Sequence, residues 1–169
     1  VQNSLKEAGV DFVTLGGVVS NPRLSKVREG IELCKKEGVD FLLAVGGRSV
    51  IDSCKAIGYG VANPWTDVWN FFLKTETPKA CLPVAAIPTI AASGSEMSNS
   101  CVITNEDGWL KRGSVKSDLC RPRFALLNPR LTYSLPQYQT ESGCVDILMH
   151  TMERYFVNIE TMEITDSIS

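Results

Sequence analysis

The sequence predicts an α/β fold that gives way to helix alone, and three features carry that expectation. Short apolar runs of strand length, at residues 41–45, 83–87 and 124–127, alternate with segments of helical period. The run at 42–45 leads at once into Gly46 and Gly47, which permit a tight turn and close backbone approach. Beyond Pro136 no strand signal returns, while Val145, Leu148, Met149, Met152, Tyr155 and Phe156 recur at helical spacing.

In chain order, the first residues read as the last turns of a helix ending at Gly9. Residues 11–15 form a short strand candidate stopped by Gly16-Gly17, and Asn21-Pro22 is turn chemistry. From 25 to 36, Val27, Ile31 and Cys34 share one helix face, with Gly38 placed to cap the C-terminus. The strand at 41–45, expected to be buried on both faces, is followed by a helix. Ser49 is its expected cap, with Asp52 completing a capping box. Val50, Ile51, Cys54 and Ile57 of that helix face the sheet. Asn63-Pro64 ends it, and residues 65–73 suggest an aromatic-rich helix. Trp65, Trp69, Phe71 and Phe72 are read there as packing residues rather than ligand platforms. The strand at 83–87 opens into a loop of small and hydroxyl residues, 88–96. A hairpin follows, turning at residues 105–108, then a strand at 124–127 closed by Asn128-Pro129.

At 169 residues there is room for one domain, or one domain and the start of another. Both ends fall in helix-like sequence and the first residue is Val1, so an excerpt of a longer chain is expected. A hydrophobic content of 44% and a charged content of 21% are ordinary for a globular protein. A net charge of −2 without a basic cluster argues against nucleic acid. No apolar run reaches membrane-span length. The six cysteines are scattered without a C-x-x-C pair, and several fall in apolar runs and read as small core residues of a reduced, cytoplasmic protein.

Two places offer chemistry. Strand, glycine turn and helix at 42–57 present free amides and the positive end of a helix dipole to a phosphate, although a glycine pair alone leaves simple strand termination equally open. The 89–96 loop, with Thr89, Ser93 and Ser95, lies at a strand end, where ligands dock in open α/β sheets. On the late helix, Asp146 and His150, the only histidine, stand at i and i+4 and can share one cation. A lone pair of this kind is more often a surface hydrogen bond, and two ligands fall short of the usual three.

Gly-Gly-Arg-Ser-Val-Ile-Asp-Ser-Cys-Lys-Ala-Ile at 46–57, Ile-Pro-Thr-Ile-Ala-Ala-Ser-Gly-Ser-Glu-Met at 87–97 and Asp-Ile-Leu-Met-His-Thr-Met-Glu-Arg-Tyr-Phe at 146–156 stand in this order. In this the chain resembles the iron-containing (group III) alcohol dehydrogenases, most nearly their butanol dehydrogenase branch. The resemblance runs from Phe12 to Ser169. It implies a Rossmann-like dinucleotide-binding α/β domain over 1–134, its first strand missing upstream, followed by the start of an all-α metal-binding domain over 135–169. Gly46, Gly47 and Ser49 would hold a pyrophosphate, Thr89, Ser93 and Ser98 would line the cofactor cleft, and Lys111 or Arg112 would supply a cofactor cation. Asp146 and His150 match the first two ligands of a divalent metal, Fe or Zn. That metal would polarise an alcohol or aldehyde oxygen while hydride passes to or from the nicotinamide. Gly16 stands where NAD-specific relatives carry an acid that repels a 2′-phosphate, so NADP is the expected cofactor and NAD the alternative. The expected partners are a small alcohol or aldehyde and, in the parent protein, a second copy in a homodimer.

Arg48 departs from the family by replacing the third glycine of Gly-Gly-Gly-Ser. It can pair with phosphate charge, but obstruction of the turn is its expected effect if φ must be positive there. The family's two later histidine ligands lie beyond Ser169, so the chain alone is expected to be inactive. Two rival readings remain: a dehydroquinate synthase-like lyase using metal and NAD, and a degenerate, non-catalytic nucleotide-binding fragment. The Asp-x-x-x-His pair and the Thr-Tyr-Ser-Leu-Pro run at 132–136 favour the dehydrogenase over the lyase.

Overall fold

A computed structural model of the chain describes residues 1–156 and Ser167. Apart from Ser167, the part of the expected helical domain past residue 156 lies outside the described residues. Among the described residues, five α-helices and four strands follow in order: α1 (Gln2–Glu7), α2 (Leu24–Glu37), β1 (Leu42–Gly46), α3 (Arg48–Ala62), α4 (Asn70–Leu73), β2 (Val84–Pro88), β3 (Val102–Asn105), β4 (Leu110–Gly113) and α5 (Gln137–Tyr155).

β1 and β2 pair in parallel from Leu42↔Val84 to Gly46↔Pro88, with α3 in the crossover between them. This is a βαβ unit, and it puts both carboxyl ends on one edge. β3 and β4 pair antiparallel, turning through Gly108 and Trp109, whose φ values are +73° and +53°. Gly38 caps α2 in the left-handed conformation at φ +65°, as its position predicts.

The core forms where α2 and α3 pack together beside the sheet. Leu24, Val27, Ile31 and Cys34 meet Ala56, Ile57 and Tyr59, with Trp69, Phe71 and Phe72 closing one side. Contact between the helices is reciprocal. A Cβ on Gly30 of α2 would stand 2.4 Å from Ile57 Cδ1, and a Cβ on Gly60 of α3 would stand 2.1 Å from Ile31 Cδ1. Each isoleucine thus fills the gap left by the other helix's glycine, which brings the two backbones close. Bidentate hydrogen bonds from Arg28 to Asp67, both 3.1 Å, tie α2 to the aromatic segment.

Several expectations need correction. Residues 11–15 form no strand, and 124–127 makes only a single parallel bridge, Ala86↔Ala125, beside β2. The aromatic helix is confined to Asn70–Leu73, and Trp65 is exposed rather than packed in the core. β2 is buried along its whole length, but Val45 of β1 is 41% exposed, so β1 is covered on one face only. The apolar stripe of α5, including Leu148 and Met149, is exposed because nothing among the described residues packs on it. Helical spacing specifies a face; what covers that face is a separate matter.

Ile57→Ala should destabilise the chain by about 2–5 kcal/mol, since it empties the gap that Gly30 provides. Chemical denaturation checks this, and a loss below about 1 kcal/mol would show that the helices close over the space.

Candidate functional site

The two parallel strands end side by side. Gly46 is the register partner of Pro88, and the Thr89 amide donates to Gly46 O at 3.2 Å. The glycine turn and the hydroxyl loop therefore leave the sheet as neighbours, the crevice in which open α/β sheets bind ligands. A Cβ on Gly46 would meet Val50 Cγ2 at 2.6 Å, so glycine is what allows α3 to start this close to the strand. Val50 and Ile51 make the first bonds of the helix, both to Gly47 O, and the amides of Arg48 and Ser49 precede them.

Ser49 is not the cap. Gly47 occupies that position without a side-chain hydrogen bond, and Asp52 bonds elsewhere. Arg48 is the first helical residue and is absent from the positive-φ positions. The expected obstruction of the turn therefore does not arise: its side chain leans along the helix, with Nε 3.5 Å from Asp52 Oδ2.

Sequence reading missed what holds the hydroxyl loop. Lys55 is fully buried, and its Nζ donates to the carbonyls of Ser95 (2.7 Å), Ser98 (2.9 Å) and Ser100 (3.0 Å). One turn earlier, the buried Asp52 accepts from Ser95 Oγ at 2.6 Å and from the Val102 amide at 3.1 Å. Burial holds the Lys55 ammonium below its ordinary pKa, and nearby Asp52 is among the groups that oppose that shift. The signal available beforehand was an Asp-x-x-Lys pair in a helix otherwise apolar on its packed side. Beside this clamp lies a small polar cavity of about 30 Å³, bordered by Arg48, Asp52, Ser93, Ser95, Ser98 and Ser100.

α5 meets the same loop. A Cβ on Gly143 would stand 2.7 Å from Ala91 O, so only glycine lets the helix lie this close to the loop backbone. Asp146 and His150, three and seven residues on, share that helix face. His150 Nε2 and Asp146 Oδ1 are 3.7 Å apart and both side chains are about half exposed. That is too long for a direct hydrogen bond. It is near the separation of about 3.3–3.6 Å expected for two donors on one cation with bonds of about 2.0–2.2 Å. Glu153 Oε2 lies 3.7 Å from His150 Nδ1. One carboxylate and one imidazole suit a divalent ion, but no group of three or more His, Cys, Asp or Glu positioned for a metal occurs among the described residues.

The remaining sequence candidates divide. Thr89, Ser93 and Ser98 lie on the loop, with Ser93 and Ser98 at the polar cavity. Lys111 is instead on the exposed β4, its Nζ donating to Asn21 Oδ1 at 2.8 Å. Burial pushes the Cys54 and Cys81 thiols up to about 12 and raises Cys101 well above its ordinary value, so these remain neutral packing groups rather than nucleophiles. No helix among the described residues is long and apolar enough to cross a membrane.

With this geometry in hand, comparisons with known proteins agree on one relationship. A family model described as iron-containing alcohol dehydrogenase matches residues 1–129. The probable NADH-dependent butanol dehydrogenase 2 of Bacillus subtilis is 44% identical over 98% of this chain and 42% of its own length. The NADPH-dependent aldehyde reductase YqhD of Escherichia coli is 34% identical over 94% of this chain and 41% of its own. Among solved structures, the NADH-dependent butanol dehydrogenase A of Thermotoga maritima superposes with a TM-score of 0.90 at 38% identity. That match covers 98% of this chain and 42% of the other. The chain thus spans about 42% of the length of such relatives, over a Rossmann-like α/β region.

Lys55→Met should lower stability by about 3 kcal/mol or more, because it strips the donor from three buried carbonyls. A urea midpoint unchanged from the parent chain would contradict the clamp. Gly143→Val forces a Cβ against Ala91 O and should speed amide exchange across residues 89–98. Unaltered exchange there would mean that α5 does not press on the loop.

Proposed function

The chain belongs to the iron-containing alcohol dehydrogenase family, and on that premise we propose that it carries the dinucleotide site and two metal ligands of an alcohol or aldehyde oxidoreductase. The observation that supports this best is the convergence of three segments: the glycine turn and hydroxyl loop, side by side at Gly46 and Pro88, and α5, packed on that loop at Gly143. In this reading the amides following Gly46 and Gly47, with Ser49, receive the pyrophosphate at the positive end of α3. Thr89, Ser93 and Ser98 line the nicotinamide side, and Lys111 reaches the cofactor only by leaving Asn21. Asp146 and His150 hold a divalent ion, Fe or Zn, as two members of a larger ligand set. Held there, such an ion would supply Lewis-acid polarisation of the substrate oxygen beside a nicotinamide that would carry the hydride. The boundary between nucleotide and helical domains, at 134/135, belongs to the same reading.

NADP is the cofactor we propose. Gly16 has no neighbour within 4 Å of an added Cβ, and Lys26 Nζ lies 3.6 Å from where a Cβ on Gly17 would stand. Lys26 is paired with Glu29 at 2.7 Å, and this cation, together with the lack of an acid at residue 16 itself, suits a 2′-phosphate. NAD is the second reading, favoured by the word NADH in the names of two of the relatives above.

Two outcomes are expected. Incubated with butanal, NADPH and Fe²⁺ or Zn²⁺, the chain alone should show little or no steady-state oxidation of NADPH, since it offers two donors where a catalytic metal takes about three from protein. Robust turnover would refute that. Lys26→Ala should weaken NADPH binding while leaving NADH within about twofold, because roughly one exposed charge pair with the 2′-phosphate is lost. Equal effects on the two cofactors would favour NAD.

A further inference from the structure

We propose that Arg48 is a phosphate-binding residue of the dinucleotide site, parked on Asp52 until the cofactor arrives. This rests on the dinucleotide reading above and adds a residue that the family pattern, with glycine at this position, does not use.

The two partners in the Arg48–Asp52 pair are unequal. Asp52 is 4% exposed in its side chain and Arg48 53%. The carboxylate keeps Ser95 Oγ and the Val102 amide as donors, and the Lys55 ammonium nearby, whether or not the guanidinium is present. Arg48 is thus free to leave without orphaning a buried charge, which is the usual obstacle to breaking such a pair. It is the first residue of α3, and it borders the polar cavity together with Ser93 and Ser98. The first turn of α3 holds no acid, so an incoming anion meets the helix dipole and this cation there; the Asp52 carboxylate, which also borders the cavity, is engaged by Ser95 and the Val102 amide. A guanidinium matches phosphate oxygens in a planar, two-pronged geometry that an ammonium lacks.

Pyrophosphate is common to NADH and NADPH, so this contact should strengthen both equally. That separates it from a 2′-phosphate contact. Calorimetric titration of the full chain with NADH and with NADPH tests the idea, using Arg48→Gln, Arg48→Lys and Arg48→Gly. Arg48→Gln should weaken both cofactors by the same factor, roughly tenfold to a hundredfold for a charge-assisted hydrogen bond. Arg48→Lys should recover part of the loss, and the salt dependence of binding should flatten in the glutamine variant. If Arg48→Gln or Arg48→Gly binds as well as the parent or better, Arg48 is a helix ion pair or an obstruction and the proposal is wrong. A drop in melting temperature with unchanged affinity would overturn it in the same way. If the parent chain binds neither cofactor, the dinucleotide reading fails and this inference with it. Binding by the parent that ignores Arg48 removes the inference alone.

Discussion

A buried ammonium with three carbonyl partners organises the end of the βαβ unit where the glycine turn and the hydroxyl loop meet. The loop that follows β2 is made of small and hydroxyl residues, with too little apolar surface to fold onto anything. Such a segment takes a fixed shape only if its backbone polar groups find partners. Lys55 supplies them from inside α3, and Asp52 holds Ser95 and the start of the hairpin from the adjacent turn. The desolvation cost of burying a cation is offset because every donor has a well-placed acceptor and a carboxylate lies close by. One helix thereby fixes the position of a loop some forty residues away in sequence.

That anchoring gives the glycine turn its importance. β1 and β2 could run parallel in many proteins without forming a site. Here the turn after one strand and the loop after the other are bonded to each other through Thr89 and Gly46, and the helix leaving the turn holds the loop in place. α5 then closes on the loop at a glycine, which carries Asp146 and His150 along the same face.

Much of the fold was legible because its signals are local. Gly38 caps α2 as its position predicts, the hairpin turns through Gly108, and Val27, Ile31 and Cys34 face the core as their spacing requires. The failures came where a neighbour decides. Residues 11–15 and 124–127 have strand-like composition, but a strand exists only through its pairing, and these segments find little or none. Replacing a glycine at position 48 suggests obstruction only if the backbone there continues the glycine turn. It follows the helix instead. The spacing of Ser49 and Asp52 fits a capping box, but spacing alone cannot tell a helix's exposed side from a side that a distant loop will cover.

By itself the sequence determined the βαβ order, the glycine turn, the helical character beyond Pro136 and the family, because periodicity, turn chemistry and motifs are written in consecutive residues. Tertiary structure alone decided that Lys55 and Asp52 are interior, that Gly143 is a contact point, and that Arg48 lies on Asp52 rather than in the turn. These depend on which surfaces meet across long stretches of chain, and on whether a charged group at that meeting finds partners enough to remain there.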